Sequence, residues 1–198
     1  MASDDKGTAD AAYTRYLLDN EKIWWKRLLD VQLPYRTHLK ALRLGVTLDI
    51  GCGIGRNLRH LAKGSVGIDH NLASVEHCRQ IGLEAYLPDD FFKAPSARTF
   101  DAILLAHVAE HMKKDEVVAL LRPYLAHLRP GGRLVVLTPQ EKGFTLDETH
   151  VEMMDYAALR HICAALALPM VRQYSFPFPR LAGRVFPYNE FVSIAQKP

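Results

Sequence analysis

Hydrophobic and polar positions along the chain follow two different periods. Short runs rich in β-branched residues predict strands, and apolar residues three or four positions apart predict helices. The first predicted helix covers residues 13–30, and Pro34 can open a second that reaches Leu42. From residue 46 onward the predicted strands are 46–50, 65–69, 84–89, 100–108, 131–139, 169–178 and 189–198, and the predicted helices are 56–63, 74–82, 115–129 and 156–166.

This alternation of strands and helices predicts an α/β fold. Strand, helix, strand units of this kind give a parallel sheet with helices on both faces. The last two strands are joined by a proline-rich aromatic segment, so we expect them to pair through a long loop. A chain of 198 residues suffices for one domain of ordinary size. We predict a disordered tail at 1–10 and a single domain at 11–198, with helices at 11–44 and the α/β core at 45–198.

Charge and composition exclude several classes of partner. The formal net charge is only +3, and basic residues are scattered among acidic ones, which argues against a nucleic-acid partner. The polar opening MASDDKGTAD has no apolar run behind it, so neither a signal peptide nor a membrane span is expected. The sequence predicts a cytoplasmic protein without a membrane partner, and it leaves a homodimer open.

A glycine-rich turn directly follows the first predicted strand. Gly51, Gly53 and Gly55 let the backbone turn sharply and approach a ligand closely. Asp69 ends the second strand about 20 residues beyond Asp49, where a carboxylate can accept hydrogen bonds from the ribose hydroxyls of an adenosine. Asp49 would repel the pyrophosphate of a dinucleotide but suits a cationic ammonium or sulfonium group. An adenosine ligand with a positive charge is therefore predicted.

At this point the sequence resembles the class I S-adenosylmethionine-dependent methyltransferases. Four segments carry the resemblance in the family's order: LDIGCGIG at 48–55, YLPDDF at 86–91, FDAILLAHVAEH at 100–111 and LRPGGRLVVLTP at 128–139. The ending EFVSIAQKP is similar to the family's last antiparallel strand. The resemblance implies a Rossmann-like, seven-stranded, mostly parallel sheet, with S-adenosylmethionine as cofactor and Asp89 or Asp90 at its adenine. The predicted cofactor-binding residues are Asp49, Gly51, Gly53, Gly55, Asn57, Asp69, His70, Asp89, Asp90 and His107.

Histidines after the fourth and fifth strands are the candidates for acid–base chemistry. His150 is the first choice for a general base, because a hydroxyl acceptor benefits from proton removal near neutral pH. Glu148, the second predicted catalytic residue, and Glu152 flank it and could orient its ring. Glu110 and His111 are predicted to contact substrate. A divalent ion such as Mg²⁺ could also be held by His150, Asp147, Glu148, Glu110 and His111. No tight ligand spacing indicates that a metal is essential.

The aromatic residues Tyr13, Tyr16, Trp24 and Trp25 are predicted to form a helical lid that contacts the substrate, although at least one tryptophan can instead belong to the core. The leading hypothesis is O-methylation of a small polar acceptor, with a sugar or oligosaccharide hydroxyl as the best guess. The compact pattern also resembles mycobacterial sugar 1-O-methyltransferases of methylmannose polysaccharide synthesis. The alternatives are a quinone, polyketide or other lipophilic acceptor, and a cofactor-binding protein without catalytic activity.

Overall fold

The computed structural model describes residues 33–93 and 98–198, and these residues form a seven-stranded sheet around which the helices pack. The strand order is β3-β2-β1-β4-β5-β7-β6. All neighbouring strands are parallel except that β7 runs antiparallel to both β5 and β6. The predicted α/β sheet with an antiparallel last strand is therefore confirmed. The strands are β1 Thr47–Ile50, β2 Val66–Ile68, β3 Ala85–Tyr86, β4 Phe100–Ala106, β5 Leu128–Pro139, β6 Met170–Phe176 and β7 Glu190–Gln196.

Six α-helices lie in the described part of the chain. Two of them begin at side-chain caps, since Asn71 accepts hydrogen bonds from the backbone at the start of one and Asp155 does so for another. The helices are α1 Leu33–Ala41, α2 Leu72–Gln80, α3 Pro88–Lys93, α4 Lys114–Leu121, α5 Glu141–Phe144 and α6 Tyr156–Ala165. Short 3₁₀ turns occupy Leu58–His60, Ala109–His111, Arg122–His127 and Arg180–Arg184.

The helix predicted at 56–63 is replaced by the single 3₁₀ turn Leu58–His60. Its backbone bonds span three residues, from His60 N to Asn57 O and from Leu61 N to Leu58 O. The Arg59 side chain bonds back to the carbonyls of Gly55 and Ile54. The segment stays wrapped against the glycine turn instead of extending as a helix.

Prolines explain two further departures from the predicted elements. The helix predicted at 115–129 stops being α-helical at Leu121, because Pro123 has no N–H for the next backbone bond. The strand predicted at 84–89 ends at Tyr86, and Pro88 opens α3 instead. Asp89 and Asp90 therefore lie in the exposed first turn of a helix.

Alternate residues of the strands face two separate layers of core. On β4, Ile103 and Leu105 join the cluster that includes Leu159 of α6, whereas Ala102 and Leu104 join the cluster on the other face. All four β4 side chains are fully buried, as expected for a parallel strand covered on both sides. The sheet is thus a rigid central layer, and functional groups are displayed at its edges.

The strand order reverses between β1 and β4, which places a crevice at the carboxyl ends of these two strands. The predicted tail at 1–10 and the helix at 13–30, with its four lid aromatics, lie outside the described residues. Within 33–93 and 98–198, no helix has the length and apolar character needed to cross a bilayer.

Candidate functional site

A cavity of about 350 Å³ opens at the carboxyl ends of β1, β2 and β4. It lies where the fold predicts a ligand crevice. Five of the predicted cofactor-binding residues line it, namely Gly51, Gly53, Asp69, His70 and His107. The other lining residues are Ile50, Cys52, Ile54, Arg56, Ile68, Ser74, Pro88, Ala106, Val108, His111, Met112, Leu120 and Tyr124.

The remaining predicted cofactor residues lie near the cavity without lining it. Gly55 and Asn57 continue the turn behind Ile54, and Asp49 lies one residue before Ile50. Asp89 and Asp90 are exposed on α3, next to the lining residue Pro88. The glycine turn and the end of β2 therefore form part of the cavity wall, whereas the carboxylates of Asp89 and Asp90 on α3 do not.

The glycine turn is shaped by contacts within the protein. Gly51 has a φ of +74°, and a Cβ built there would lie 2.2 Å from a methyl carbon of Val108. The amides of Gly51 and Cys52 both donate to the carbonyl of Ile68, at 2.7 and 3.0 Å. A side chain at position 51 would therefore collide with Val108, which is itself a lining residue of the cavity. Glycine at 51 is required by the packing of the turn.

Asp69 ties the end of β2 to the glycine turn. One carboxylate oxygen accepts from Gly53 N at 2.8 Å and the other accepts from Asn71 N at 2.9 Å. Each oxygen keeps a second lone pair, and the residue lines the cavity. Asp69 can accept hydrogen bonds from a ligand while it holds the glycine turn. Its replacement would therefore disturb both ligand binding and the conformation of the turn.

Asp49 is a buried acid without a hydrogen-bond partner among the described residues. It is 1% exposed, and neither carboxylate oxygen has a hydrogen bond to a residue in 33–93 or 98–198. Burial and the neighbouring Asp69 carboxylate raise the pKa of Asp49 to about 8. An unpartnered buried carboxyl costs folding free energy, and a cation bound beside it would reduce that cost. This is where an ammonium or sulfonium group would be stabilised.

His107 is held between two carboxylates. Its Nε2 lies 2.6 Å from Glu190 Oε1, and its Nδ1 lies 3.4 Å from Glu110 Oε1. Burial opposes a charge on the ring, but Glu190 and Glu110 outweigh it and raise the pKa of His107 to about 10. At neutral pH the ring is therefore a cation and has no lone pair with which to accept a proton.

Glu190 is a site residue that sequence reasoning missed, and Tyr35 of α1 is another. The antiparallel direction of β7 places its first residue, Glu190, opposite Pro139 at the carboxyl edge of β5. The Tyr35 ring lies 6.2 Å from that of His107. Burial, Glu190 and Asp49 raise the pKa of Tyr35 well above its usual value. The direction of the last strand, once predicted, could have pointed to Glu190, whereas nothing in the local sequence indicates Tyr35.

A second group of polar side chains adjoins the cavity beside His111. The His111 and His150 rings lie 4.9 Å apart, and the backbone N–H of Val151 donates to the carbonyl of Glu110 at 2.8 Å. One ligand atom from each of Glu110, His111 and His150 lies within 4.8 Å of the others. His111 lines the cavity, and His150, whose side chain is 8% exposed, packs behind it.

The predicted partners of His150 are replaced by others. Its Nδ1 lies 2.8 Å from the carbonyl oxygen of Phe144, and the Phe144 ring stacks on it. Glu148 is exposed, and Glu152 instead pairs with Lys114. The orientation of His150 therefore depends on a backbone carbonyl.

Comparison with known proteins identifies the family. Residues 26–168 match the family described as a methyltransferase domain. The chain belongs to this family. The match covers the glycine turn, Asp69 and the histidines after β4 and β5, so the methyltransferase domain includes the whole cavity described above.

Two curated relatives of this methyltransferase domain have different named activities. The chain is 30% identical over 125 residues to cycloartenol-C-24-methyltransferase 1 of Oryza sativa subsp. japonica, covering 54% of this chain and 36% of that protein. It is 30% identical over 165 residues to tRNA U34 carboxymethyltransferase of Pseudoalteromonas translucida (strain TAC 125), covering 75% of this chain and 48% of that protein. The chain thus spans about half, or less, of the length of these relatives.

Solved methyltransferase structures share the fold. An S-adenosylmethionine-dependent methyltransferase from Archaeoglobus fulgidus superposes with a TM-score of 0.68 at 20% identity, over 92% of this chain and 99% of that one. Magnesium protoporphyrin IX methyltransferase from Synechocystis PCC 6803, with bound S-adenosylmethionine, gives a TM-score of 0.62 at 14% identity, over 100% and 99% of the two chains. At these identities the likeness shows the fold.

Proposed function

We propose that this chain is an S-adenosylmethionine-dependent methyltransferase that acts on a hydroxyl group of a small polar acceptor. The observation that carries the proposal is the unpartnered, buried Asp49 beside a cavity built from the glycine turn and Asp69. The cofactor has a cationic ammonium for Asp49 and a ribose for Asp69. The structural neighbour from Synechocystis contains bound S-adenosylmethionine, which supports the same ligand here.

The residues at the cavity fit this cofactor in three ways. The ionised Asp49 carboxylate would accept hydrogen bonds from the ammonium group. Asp69 would accept from the ribose hydroxyls with its remaining lone pairs, and the apolar side chains of Leu120 and Met112 offer a surface for the adenine. When bound, S-adenosylmethionine supplies an electrophilic methyl group on its sulfonium sulfur.

The chain's own chemical role would be to position the acceptor and accept its proton. Of the histidines, His107 is protonated, so His111 and His150 are the proposed pair of proton acceptors. His111 lines the cavity and could contact the acceptor hydroxyl directly, with His150 against it. A proton acceptor matters most for a hydroxyl, which has a high pKa, and this favours an O-methyl acceptor over an amine.

A sugar hydroxyl is the proposed acceptor, and an anomeric hydroxyl of a methylated mannoside is the specific case suggested by the sequence. The cavity lining is mostly apolar, and the support for a polar acceptor comes from His107 and His111 in its wall, with Glu190 beside His107. A lipophilic acceptor would be favoured if the cavity were lined by Phe176, Phe178, Phe186, Met153 and Met154. None of these five residues lines the cavity, since Met154 is fully buried in the core and Phe176 stacks on His38.

The test is a transfer assay with isotopically labelled S-adenosylmethionine and a matched panel of acceptors. The panel would contain plain and O-methylated mannosides, catechols and primary amines at equal concentration. Label is expected in a methyl group on a sugar oxygen, as a methyl glycoside where the anomeric hydroxyl is the acceptor and as a methyl ether at any other hydroxyl. Label in the catechols alone would replace the sugar proposal by the lipophilic one. Binding of S-adenosylhomocysteine without any transfer would support a non-catalytic protein.

Histidine variants test the proton acceptors. His150→Ala and His111→Ala should each lower kcat by about 10²- to 10⁴-fold, the usual contribution of a positioned base, while the affinity for S-adenosylhomocysteine stays nearly unchanged. His161→Ala, which removes an exposed histidine from α6, is the matched control. Unchanged kcat in both site variants would remove this pair from the mechanism.

A further inference from the structure

We propose that Glu110, His111 and His150 form a binding site for a divalent transition-metal ion at the wall of the cavity. One ligand atom from each lies within 4.8 Å of the others, so side-chain shifts of less than about 1 Å bring all three within the roughly 2.0–2.2 Å reach of a single ion. Two imidazoles and one carboxylate are a set that first-row divalent metals prefer. Mg²⁺, suggested by the sequence, prefers oxygen ligands, so this set favours Zn²⁺, Co²⁺ or Mn²⁺.

Within the described residues the His150 ring makes its hydrogen bond through Nδ1, and its Nε2 lies 3.9 Å from Asp147 Oδ2. Its Nδ1 faces the Phe144 carbonyl at 2.8 Å, and a carbonyl can only accept a hydrogen bond. Nδ1 must therefore carry the ring proton of the neutral side chain, and Nε2 keeps its lone pair. A backbone carbonyl that fixes the tautomer in this way is a regular feature of metal-binding histidines.

Two linked hydrogen bonds place the ring proton of neutral His111 on Nδ1, as in His150. The Thr149 hydroxyl donates its only hydrogen to Asp147 Oδ1 at 2.6 Å. It must then accept from His111 Nδ1, which lies 3.1 Å away. Nε2 of His111 is thus also left with a lone pair, and both imidazoles are prepared as ligands.

Glu110 supplies the third ligand. Its side chain is almost fully buried, and in the described part of the chain neither carboxylate oxygen has a hydrogen bond, although His107 Nδ1 lies 3.4 Å from one of them. A buried carboxylate in this state is costly unless a further cation completes its surroundings. The backbone bond from Val151 N to Glu110 O holds the His150 segment beside it. The carboxylate and the two prepared nitrogens therefore belong to one fixed arrangement.

Three protein ligands leave open coordination positions. Because His111 lines the cavity, an acceptor hydroxyl could occupy one of them, and His111 and His150 would then both act as ligands instead of proton acceptors. This role for the ion rests on the proposed function, whereas ion binding itself does not.

The test is metal titration of the full chain after treatment with a chelator, without cofactor or acceptor. Co²⁺ binding would be followed by visible absorption, and Zn²⁺ and Mg²⁺ binding by calorimetry. We expect one Co²⁺ or Zn²⁺ per chain, bound at least about 100-fold more tightly than Mg²⁺. His111→Ala and Glu110→Gln should each weaken Zn²⁺ binding by at least about 100-fold, and His161→Ala should leave it unchanged.

A supporting variant acts beside the three ligands instead of on one of them. Asp147→Ala removes the acceptor of the Thr149 hydroxyl and also the carboxylate oxygen that lies 3.9 Å from His150 Nε2, and it should weaken Zn²⁺ binding by about 10- to 100-fold. Circular dichroism and S-adenosylhomocysteine binding would verify folding, and if Glu110→Gln fails to fold, His111→Ala and His150→Ala decide. Absence of a stoichiometric site, equal affinity for Mg²⁺, or undiminished binding in the histidine variants would overturn the proposal. None of these outcomes alters the methyl-transfer assay, so the two proposals fail separately.

Discussion

Replacing Asp49 by Asn tests the electrostatics of the proposed cofactor site. The pKa of Asp49 is about 8 in the ligand-free chain, so the carboxyl is mostly protonated at neutral pH. A bound ammonium group favours the ionised form, and ligand binding below pH 8 must therefore release a proton. From the pKa of about 8, the ionised fraction rises from about 1% at pH 6 to about half at pH 8, which predicts a roughly 50-fold gain in affinity for S-adenosylhomocysteine.

Isothermal titration calorimetry at pH 6, 7 and 8, in buffers of different ionisation enthalpy, measures both the affinity and the proton release. Asp49→Asn should bind S-adenosylhomocysteine about 10- to 100-fold more weakly at pH 8, release no proton and lose the pH dependence. 5′-Methylthioadenosine lacks the amino-acid portion and is the matched ligand control, whose affinity should be equal in both proteins. The same pH dependence in Asp49→Asn and the unsubstituted chain would refute the assignment.

The same pKa predicts the effect on stability. Because the pKa of Asp49 in the folded chain is raised above that of a free carboxyl, the folded chain holds a proton that the unfolded chain releases between about pH 4 and pH 8. The unfolding free energy therefore falls as the pH rises through this range. Asp49→Asn should therefore unfold at a higher temperature than the unsubstituted chain at pH 8 without ligand. If Asp49→Asn binds S-adenosylhomocysteine more weakly but unfolds at a higher temperature, Asp49 serves ligand binding and does not stabilise the fold.

Three further predictions concern the fold. Gly51→Ala should lower the unfolding free energy by at least about 1–2 kcal/mol because of its positive φ and the contact with Val108, and Val108→Ala in the same chain should recover part of it in urea titrations. Burial and Arg172 lower the pKa of His38 to about 4, so the unfolding free energy should fall as the pH is lowered from about 6.5 to about 4, and less so in His38→Gln. Asp155→Ala removes the cap of α6 and should cost about 0.5–2 kcal/mol in the same titrations, whereas an unchanged midpoint would contradict the capping role.

Local patterns were sufficient to predict the central strands and the wall of the cavity. The apolar run of β4 and the glycines after β1 act over a few residues, and the position of Asp69 follows from the strand it ends. The 3₁₀ turn at Leu58–His60 could not be predicted in this way, because its shape depends on packing and on the Arg59 side chain. At this segment, contacts within the turn override the local preference for an α-helix.

Long-range contacts explain what the sequence did not reveal about the site. The contact of His107 with Glu190 joins positions 83 residues apart, and only the pairing of β5 with β7 brings them together. His150 was a candidate by its place after β5, but its tautomer depends on the Phe144 carbonyl, a backbone group that no residue pattern marks. The residue types could be predicted, whereas their protonation required the three-dimensional arrangement.

Because β7 runs against its neighbours, the segment 177–189 leaves β6 and returns to β7 at the edge that holds the cavity. Leu181, Val185 and Tyr188 in this segment are each at least 70% exposed, so few core contacts constrain their identity. The turns at Gly64 and Gly82, in contrast, lie at the opposite edge, where β2 and β3 begin. Gly183 and Asn189 are constrained by their packing on Gln140, whereas evolution or protein engineering can vary Leu181, Val185 and Tyr188 while the parallel strands keep their sequence.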